Sequence, residues 1–184
     1  MNGHPRLRIY FGTELANLYD VGYLTTDLYQ LFTFSELLEQ PDRELTERWF
    51  GEKARPFNRY AGVLDKFRRS SEIREAKKGP LELTVAVGSL LTSIIVPLAV
   101  IYVQRSLGPR QVAFEVSVDD PNIEQALRAY ADGTFGTGQE GLEMLFAALR
   151  QLNYNVNLQA QDAYVINDVL NRYAQRMVKT IDKP

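Results

Sequence analysis

The chain has no cysteine and only one histidine, His4, among its 184 residues. The first absence excludes disulfides, thiol nucleophiles and thiolate metal sites. The second excludes zinc sites built from paired histidines and every triad that needs a histidine as base, because His4 stands alone near the N-terminus. No strong excess of one charge is present either. The net charge is −2, so the whole chain exerts no general attraction on nucleic acid. The N-terminus, MNGHPRLRIYFG, lacks an apolar run long enough for a signal peptide. With 45% hydrophobic and 24% charged residues, the composition is that of an ordinary globular protein. Together with the missing cysteines, it suits a reducing cytoplasm.

One stretch does lack charge. Between Glu82 and Gln104 lie 21 residues without a formal charge. Leu81, Leu83, Val85 and Val87 alternate with Glu82, Thr84 and Ala86, the period of a strand. Gly88 and Ser89 break the alternation. Leu90, Leu91, Ile94, Ile95, Leu98, Ala99, Ile101 and Tyr102 then continue as a helix that is apolar on all sides, stopped at Gly108-Pro109. Once the strand is subtracted, about 16 apolar residues remain, against the ~20 that a bilayer span requires. A buried helix of a globular fold is therefore the first reading. A single membrane span through residues 83–103, which would anchor the protein, is the alternative.

The rest of the chain alternates strand and helix signals. Leu7, Ile9 and Phe11 form a strand pattern with Arg6, Arg8 and Tyr10 between them. A long helix follows over about 14–39, carrying leucines at 24, 28, 31 and 38 and aromatics at Tyr19, Tyr23, Tyr29, Phe32 and Phe34. Those aromatics surround the helix, so it is either covered on two sides or turned toward a partner. A short helix ends at Trp49-Phe50, and a basic helix is expected to run to about Lys78. Residues 52–78 hold nine Lys or Arg against four Asp or Glu. The interleaved Phe57, Tyr60 and Phe67 are arranged as a clamp for single-stranded nucleic acid would be, but a solvated helix edge accounts for them, and nucleic acid is not expected as a partner. Val112, Phe114, Val116 and Val118 predict a further strand, parallel to residues 81–87 across the apolar helix. A helix from Asp120-Pro121 leads to a glycine-rich loop, a helix over 142–152, a weak strand at Tyr154, Val156 and Leu158, and a last helix over about 160–179. That helix sets Ile166, Val169, Leu170, Tyr173 and Met177 on one face.

The expected fold is α+β in a single domain over 1–184. It has about four strands in a mixed sheet, with long helices packed on it and a fully apolar helix near 89–107.

Two motifs carry chemical alternatives. Gly136-Thr-Gly138-Gln-Glu-Gly141 matches the G-x-G-x-x-G pattern of dinucleotide sites, with Asp162 some twenty residues on. A helix rather than a strand precedes it, and Glu140 and Glu143 place negative charge where a pyrophosphate would lie. A capping loop is therefore expected, with a nucleotide-binding enzyme as the alternative. Glu14, Asp20 and Asp27 could pair for acid–base work or hold a cation through oxygens, but surface acids or partners of Arg6 and Arg8 are the expected roles. No catalytic, cofactor-binding or metal residue is assigned.

The run Gly79-Pro80-Leu81-Glu82-Leu83, ahead of an apolar helix, resembles a G-S-P-L-E-I-like turn in small uncharacterised bacterial proteins. Here the serine is absent and Leu83 stands for isoleucine. Some of those proteins are similar to the N-terminal domain of the TRADD adaptor, an α+β sandwich that mediates protein–protein contact. Such modules occur in bacterial conflict (defence) systems. The resemblance covers the stretch 79–107 and implies an interaction module without implying any site residue. The functional expectation is a non-enzymatic adaptor that self-associates and takes no cofactor. Its interface candidates are Tyr19, Tyr23, Tyr29, Phe32, Phe34, Trp49 and Phe50, since large aromatics dominate protein interfaces.

Overall fold

The computed structural model describes residues 5–12, 18–40, 44–51, 71–77 (backbone course), 81–108 and 114–182. Strand β1 (Arg6–Phe11) alternates exposed and buried residues along its length, so Leu7, Ile9 and Phe11 face the core and Arg6, Arg8 and Tyr10 face away. Helices α1 (Leu18–Glu39) and α2 (Glu44–Phe50) follow, then strands β2 (Ser71–Lys77) and β3 (Glu82–Val87). Helix α3 (Thr92–Leu107) leads to strand β4 (Phe114–Val118). Three helices complete the described chain: α4 (Pro121–Ala131), α5 (Gly138–Gln151) and α6 (Ala160–Ile181).

The strands form one sheet in the order β2-β3-β1-β4, and every neighbouring pair is antiparallel. The strand and helix order through β4, with α1 and α2 taken together, is the split β-α-β-β-α-β arrangement of ferredoxin-like sandwiches. The α+β class holds, but the sheet is not mixed. β3 and β4 do run in the same direction, as a helical crossover dictates. They are not neighbours, because β1 inserts between them and pairs with both.

The strands also differ in place from expectation. Residues 71–77 were expected at the end of a basic helix and instead form β2, which pairs with β3 and slips register between Ile73 and Glu75. Helix-forming residues fill SEIREAK, so cross-strand pairing overrides local propensity here. The remainder of the basic block, 52–70, lies outside the described residues. Residues 154–158 join no ladder, and the Val156 amide donates to the Tyr154 carbonyl at 2.9 Å, a tight local turn. Val156 and Leu158 are buried and Asn155 and Asn157 exposed, so the alternation records burial without strand pairing. Asn153, with φ of 66°, turns the chain out of α5, a left-handed conformation that asparagine tolerates better than most residues.

α3 is the hub of the helical layer. It packs on β4, α1, α4 and along α6, while α1 also meets α2 and α6, and α5 bridges α4 and α6. Every residue from Thr92 to Val100 is buried, with Tyr102 and Val103. The helix is not apolar to its end, since Gln104, Arg105 and Ser106 lie in its last turn and two of them are exposed. Residues 83–103 are divided between β3 and α3, so they do not form one span, and no helix among the described residues is long and apolar enough to cross a membrane.

Local signals set the helix starts. Asp120 accepts hydrogen bonds from the Asn122 and Ile123 amides, and Pro121 opens α4. Gln159 and Asp162 form a reciprocal capping box on α6. At the head of α3, Glu39 Oε1 accepts from the Leu91 amide at 3.3 Å, which ties the end of α1 to the start of the central helix.

Candidate functional site

Helix α1 changes character along its length. From Leu24 onward the core encloses it: Leu24, Asp27, Leu28, Gln30, every residue from Leu31 to Ser35, Leu37 and Leu38 are buried. Its first two turns protrude. Tyr19, Gly22, Tyr23 and Thr26 are exposed and fall at i, i+3, i+4 and i+7, a single stripe along the helix. Tyr19 is 62% exposed and Tyr23 47%. Their ring centroids lie 4.6 Å apart at an interplanar angle of 56°, and the Tyr19 hydroxyl donates to that of Tyr23 at 3.0 Å. That hydrogen bond is the main cause of a raised Tyr19 pKa. A Cβ on Gly22 would meet nothing within 4 Å, so no internal neighbour requires glycine there.

The seven interface candidates therefore separate. Tyr19 and Tyr23 are at the surface, Tyr29 and Trp49 are half-buried, and Phe32, Phe34 and Phe50 are core residues. The Phe34 and Phe50 rings meet at 5.0 Å, closing α2 onto α1. For these three phenylalanines the expectation of a partner-facing position does not hold. The periodicity showed that the aromatics could not share one face, and it could not show that other elements cover the second half of the helix on all sides.

Beneath the stripe lies a buried polar network between α1 and α6. Asp27, 2% exposed, pairs with Arg176 at 2.9 Å. Burial pushes its carboxyl up to about 6 and the guanidinium partly offsets this. The Tyr173 hydroxyl donates to Gln30 Oε1 at 3.0 Å, and burial raises its pKa. Arg172 pairs with Asp168 at 2.8 Å and also donates to the backbone carbonyls of Phe50 and Gly51. It thus sits at the end of α2, where a cation complements the helix dipole. Asp27 was a candidate for acid–base or cation chemistry. Its enclosure gives a solute no access, and its role is to pin α1 to α6. Asp20 is half-buried near the stripe, whereas Glu14 and His4 lie outside the described residues.

A second network had no signal in the sequence. Tyr130 and Tyr102 share a hydroxyl hydrogen bond of 3.0 Å, and Tyr102 donates onward to Asn167 Oδ1 at 2.7 Å. Burial, then the bond to Tyr130, raises the Tyr102 pKa. Arg105 lies over the Tyr130 ring at 4.7 Å and donates to the Tyr130 carbonyl at 2.6 Å. These contacts latch α3, α4 and α6 together. Each tyrosine occupies an apolar helix position, so periodicity predicts its burial but not the partner of its hydroxyl.

The glycine-rich loop joins α4 to α5. Gly133, Gly136 and Gly138 take positive φ, and a Cβ on Gly141 would come within 2.8 Å of the Gly136 carbonyl oxygen. These glycines thus make a tight helix–helix turn. Among the described residues no group of three or more His, Cys, Asp or Glu side chains is placed to hold a metal ion. Comparison with protein-family models, with curated proteins and with solved structures finds no match for this chain.

Proposed function

We propose that this protein is a non-enzymatic protein–protein interaction module, an adaptor that self-associates in a bacterial defence system and works in the cytoplasm. The observation that carries this reading is the Tyr19–Gly22–Tyr23–Thr26 stripe. Two tyrosines whose tilted rings touch each other stand in solvent on a helix whose core-facing side is enclosed from Leu24 onward. Large amphipathic rings at low entropic cost are characteristic of interface anchors. Gly22 between them costs about 1 kcal/mol relative to alanine in a helix, and no internal contact offsets that cost. A partner backbone approaching the stripe closely would account for it. The resemblance of the Gly79–Leu83 turn to proteins akin to the TRADD N-terminal domain supports the same class of function.

The test is a Tyr19→Ala/Tyr23→Ala variant beside the wild type in light scattering and thermal melting. Association should weaken by roughly 1–4 kcal/mol while the melting temperature holds. An unchanged mass with a lowered melting temperature would assign both rings to the fold alone.

A further inference from the structure

We propose that the end of α1 and the start of α3 together form a binding site for a divalent cation that prefers oxygen ligands, of the calcium and magnesium class. The site lies at the opposite end of α1 from the aromatic stripe and does not depend on the association reading. α1 closes on two acids, Glu36 and Glu39, one turn apart on the same face, and no basic residue stands in its last turn. A helix C-terminus carries about half a negative charge, so cations are favoured there and carboxylates are not. Glu39 has a reason for its place, because its Oε1 accepts from the Leu91 amide at 3.3 Å, at the positive end of α3. Glu36 has no such compensation. It is half-buried, and its Oε1 finds no hydrogen-bond partner among the described residues. Burial, and then the charge of Glu39, raises its pKa.

The start of α3 supplies neutral oxygens to this junction. Ser89 and Thr92 are 0% and 1% exposed, and neither hydroxyl has a hydrogen-bond partner among the described residues. Ser93, by contrast, donates to the Leu90 carbonyl at 2.6 Å. A buried hydroxyl without a partner is costly, so two of them at one helix start point to a ligand. Helical side chains lean toward the N-terminus, so Thr92, the first residue of α3, directs its hydroxyl toward the end that Glu39 reaches. Charge fixes the sign of the ligand. The C-terminus of α1 and the N-terminus of α3 contribute about −0.5 and +0.5 and cancel. Two carboxylates remain, which repel an anion and balance a divalent cation. Two acids fall short of a three-acid cluster, so the hydroxyls and water complete the shell, as oxygen-preferring cations allow. Glu39 is exposed and leaves the site open to a solute, unlike the enclosed Asp27. The ion braces the junction between α1 and the central helix.

The experiment is calorimetric titration of the chelator-treated full chain with calcium chloride and, separately, magnesium chloride, beside thermal melting in each salt. At least one ion should bind once per chain and raise the melting temperature. Glu36→Gln removes a charged ligand and should weaken binding at least about tenfold, a loss typical even of residues behind the ligands. Thr92→Val and Ser89→Ala should each weaken it by a smaller, measurable factor. Glu115→Gln, an exposed acid on β4, should leave the affinity unchanged. Circular dichroism checks that each variant folds, and if Thr92→Val does not, Ser89→Ala carries the hydroxyl test. No binding and no thermal shift with either ion up to about 10 mM, beyond the ~1 mM of weak calcium sites, overturns the proposal. Undiminished binding in Glu36→Gln, or in both hydroxyl variants, places the ion elsewhere and overturns it too. So does an equal loss in Glu115→Gln, which would mark diffuse attraction of cations to surface acids.

Discussion

Both halves of α1 carry large aromatic side chains, and the aromatics of the two halves have different fates. Tyr19 and Tyr23 stand in water, while Phe32 and Phe34, three turns further on, have almost none. Composition does not separate them. What separates them is the company each half keeps, since α2 meets the second half at Phe34, α6 at Gln30 and the start of α3 at Glu39. An aromatic-rich helix is thus not by itself a sign of an interface. The informative feature is the point where enclosure begins, here at Leu24, with Asp27 about one turn further on.

The comparison is broken most forcefully by truncating one ring in each half. Phe34→Ala should cost about 3–5 kcal/mol, because it removes a buried ring and opens a cavity against Phe50. Tyr19→Ala should change stability by about 0.5 kcal/mol or less. Denaturant unfolding of both variants measures the contrast, and similar losses would mean that the first half is also internal in solution.

The boundary itself responds to pH. Burial pushes the Asp27 carboxyl up to about 6 in the folded chain, from an ordinary value of 3.8. Folding therefore favours the protonated form. The stabilisation from this group is full below pH 4 and is lost as pH rises through about 6, a change on the order of 3 kcal/mol. Asp27→Asn should flatten the stability profile between those values. An unaltered profile would show that the carboxyl is not enclosed as described.

The smallest effect sharpens the comparison at Gly22. With open space around its missing Cβ, Gly22→Ala should stabilise the isolated fold by about 0.5–1 kcal/mol. The added methyl should also weaken any association through the stripe. A stabilised variant whose association is intact would remove Gly22 from the interface and leave the tyrosines to be judged alone.

Much of the architecture was legible wherever one buried face met one exposed face. Leu7, Ile9 and Phe11 of β1, and Ile166, Val169, Leu170, Tyr173 and Met177 of α6, are all buried as their periods required. Asp120 and Pro121 marked the start of α4 correctly. β2 was not legible, because SEIREAK has neither alternation nor β-branched enrichment and owes its state to β3. The antiparallel order was hidden for a related reason. It depends on β1 entering between β3 and β4, a pairing over a hundred residues apart in the chain between β1 and β4. Of the candidate interface, the number of faces could be read from the sequence. Which face stayed uncovered depended on contacts with helices far along the chain.

The sheet's borders have a consequence for how copies of this protein can accumulate. An unpaired outer strand is a template on which further chains can add, and long, regular, apolar ones seed fibres. Neither border here invites that. β2 is broken by its slip in register near residue 74, and its sequence carries charges at Glu72, Arg74, Glu75 and Lys77. β4 spans only five residues, and the amide of its last residue, Val118, is already held by Glu124 Oε2 at 3.1 Å. Both described borders therefore disfavour lateral growth of the sheet, and they offer further chains little to add to strand by strand.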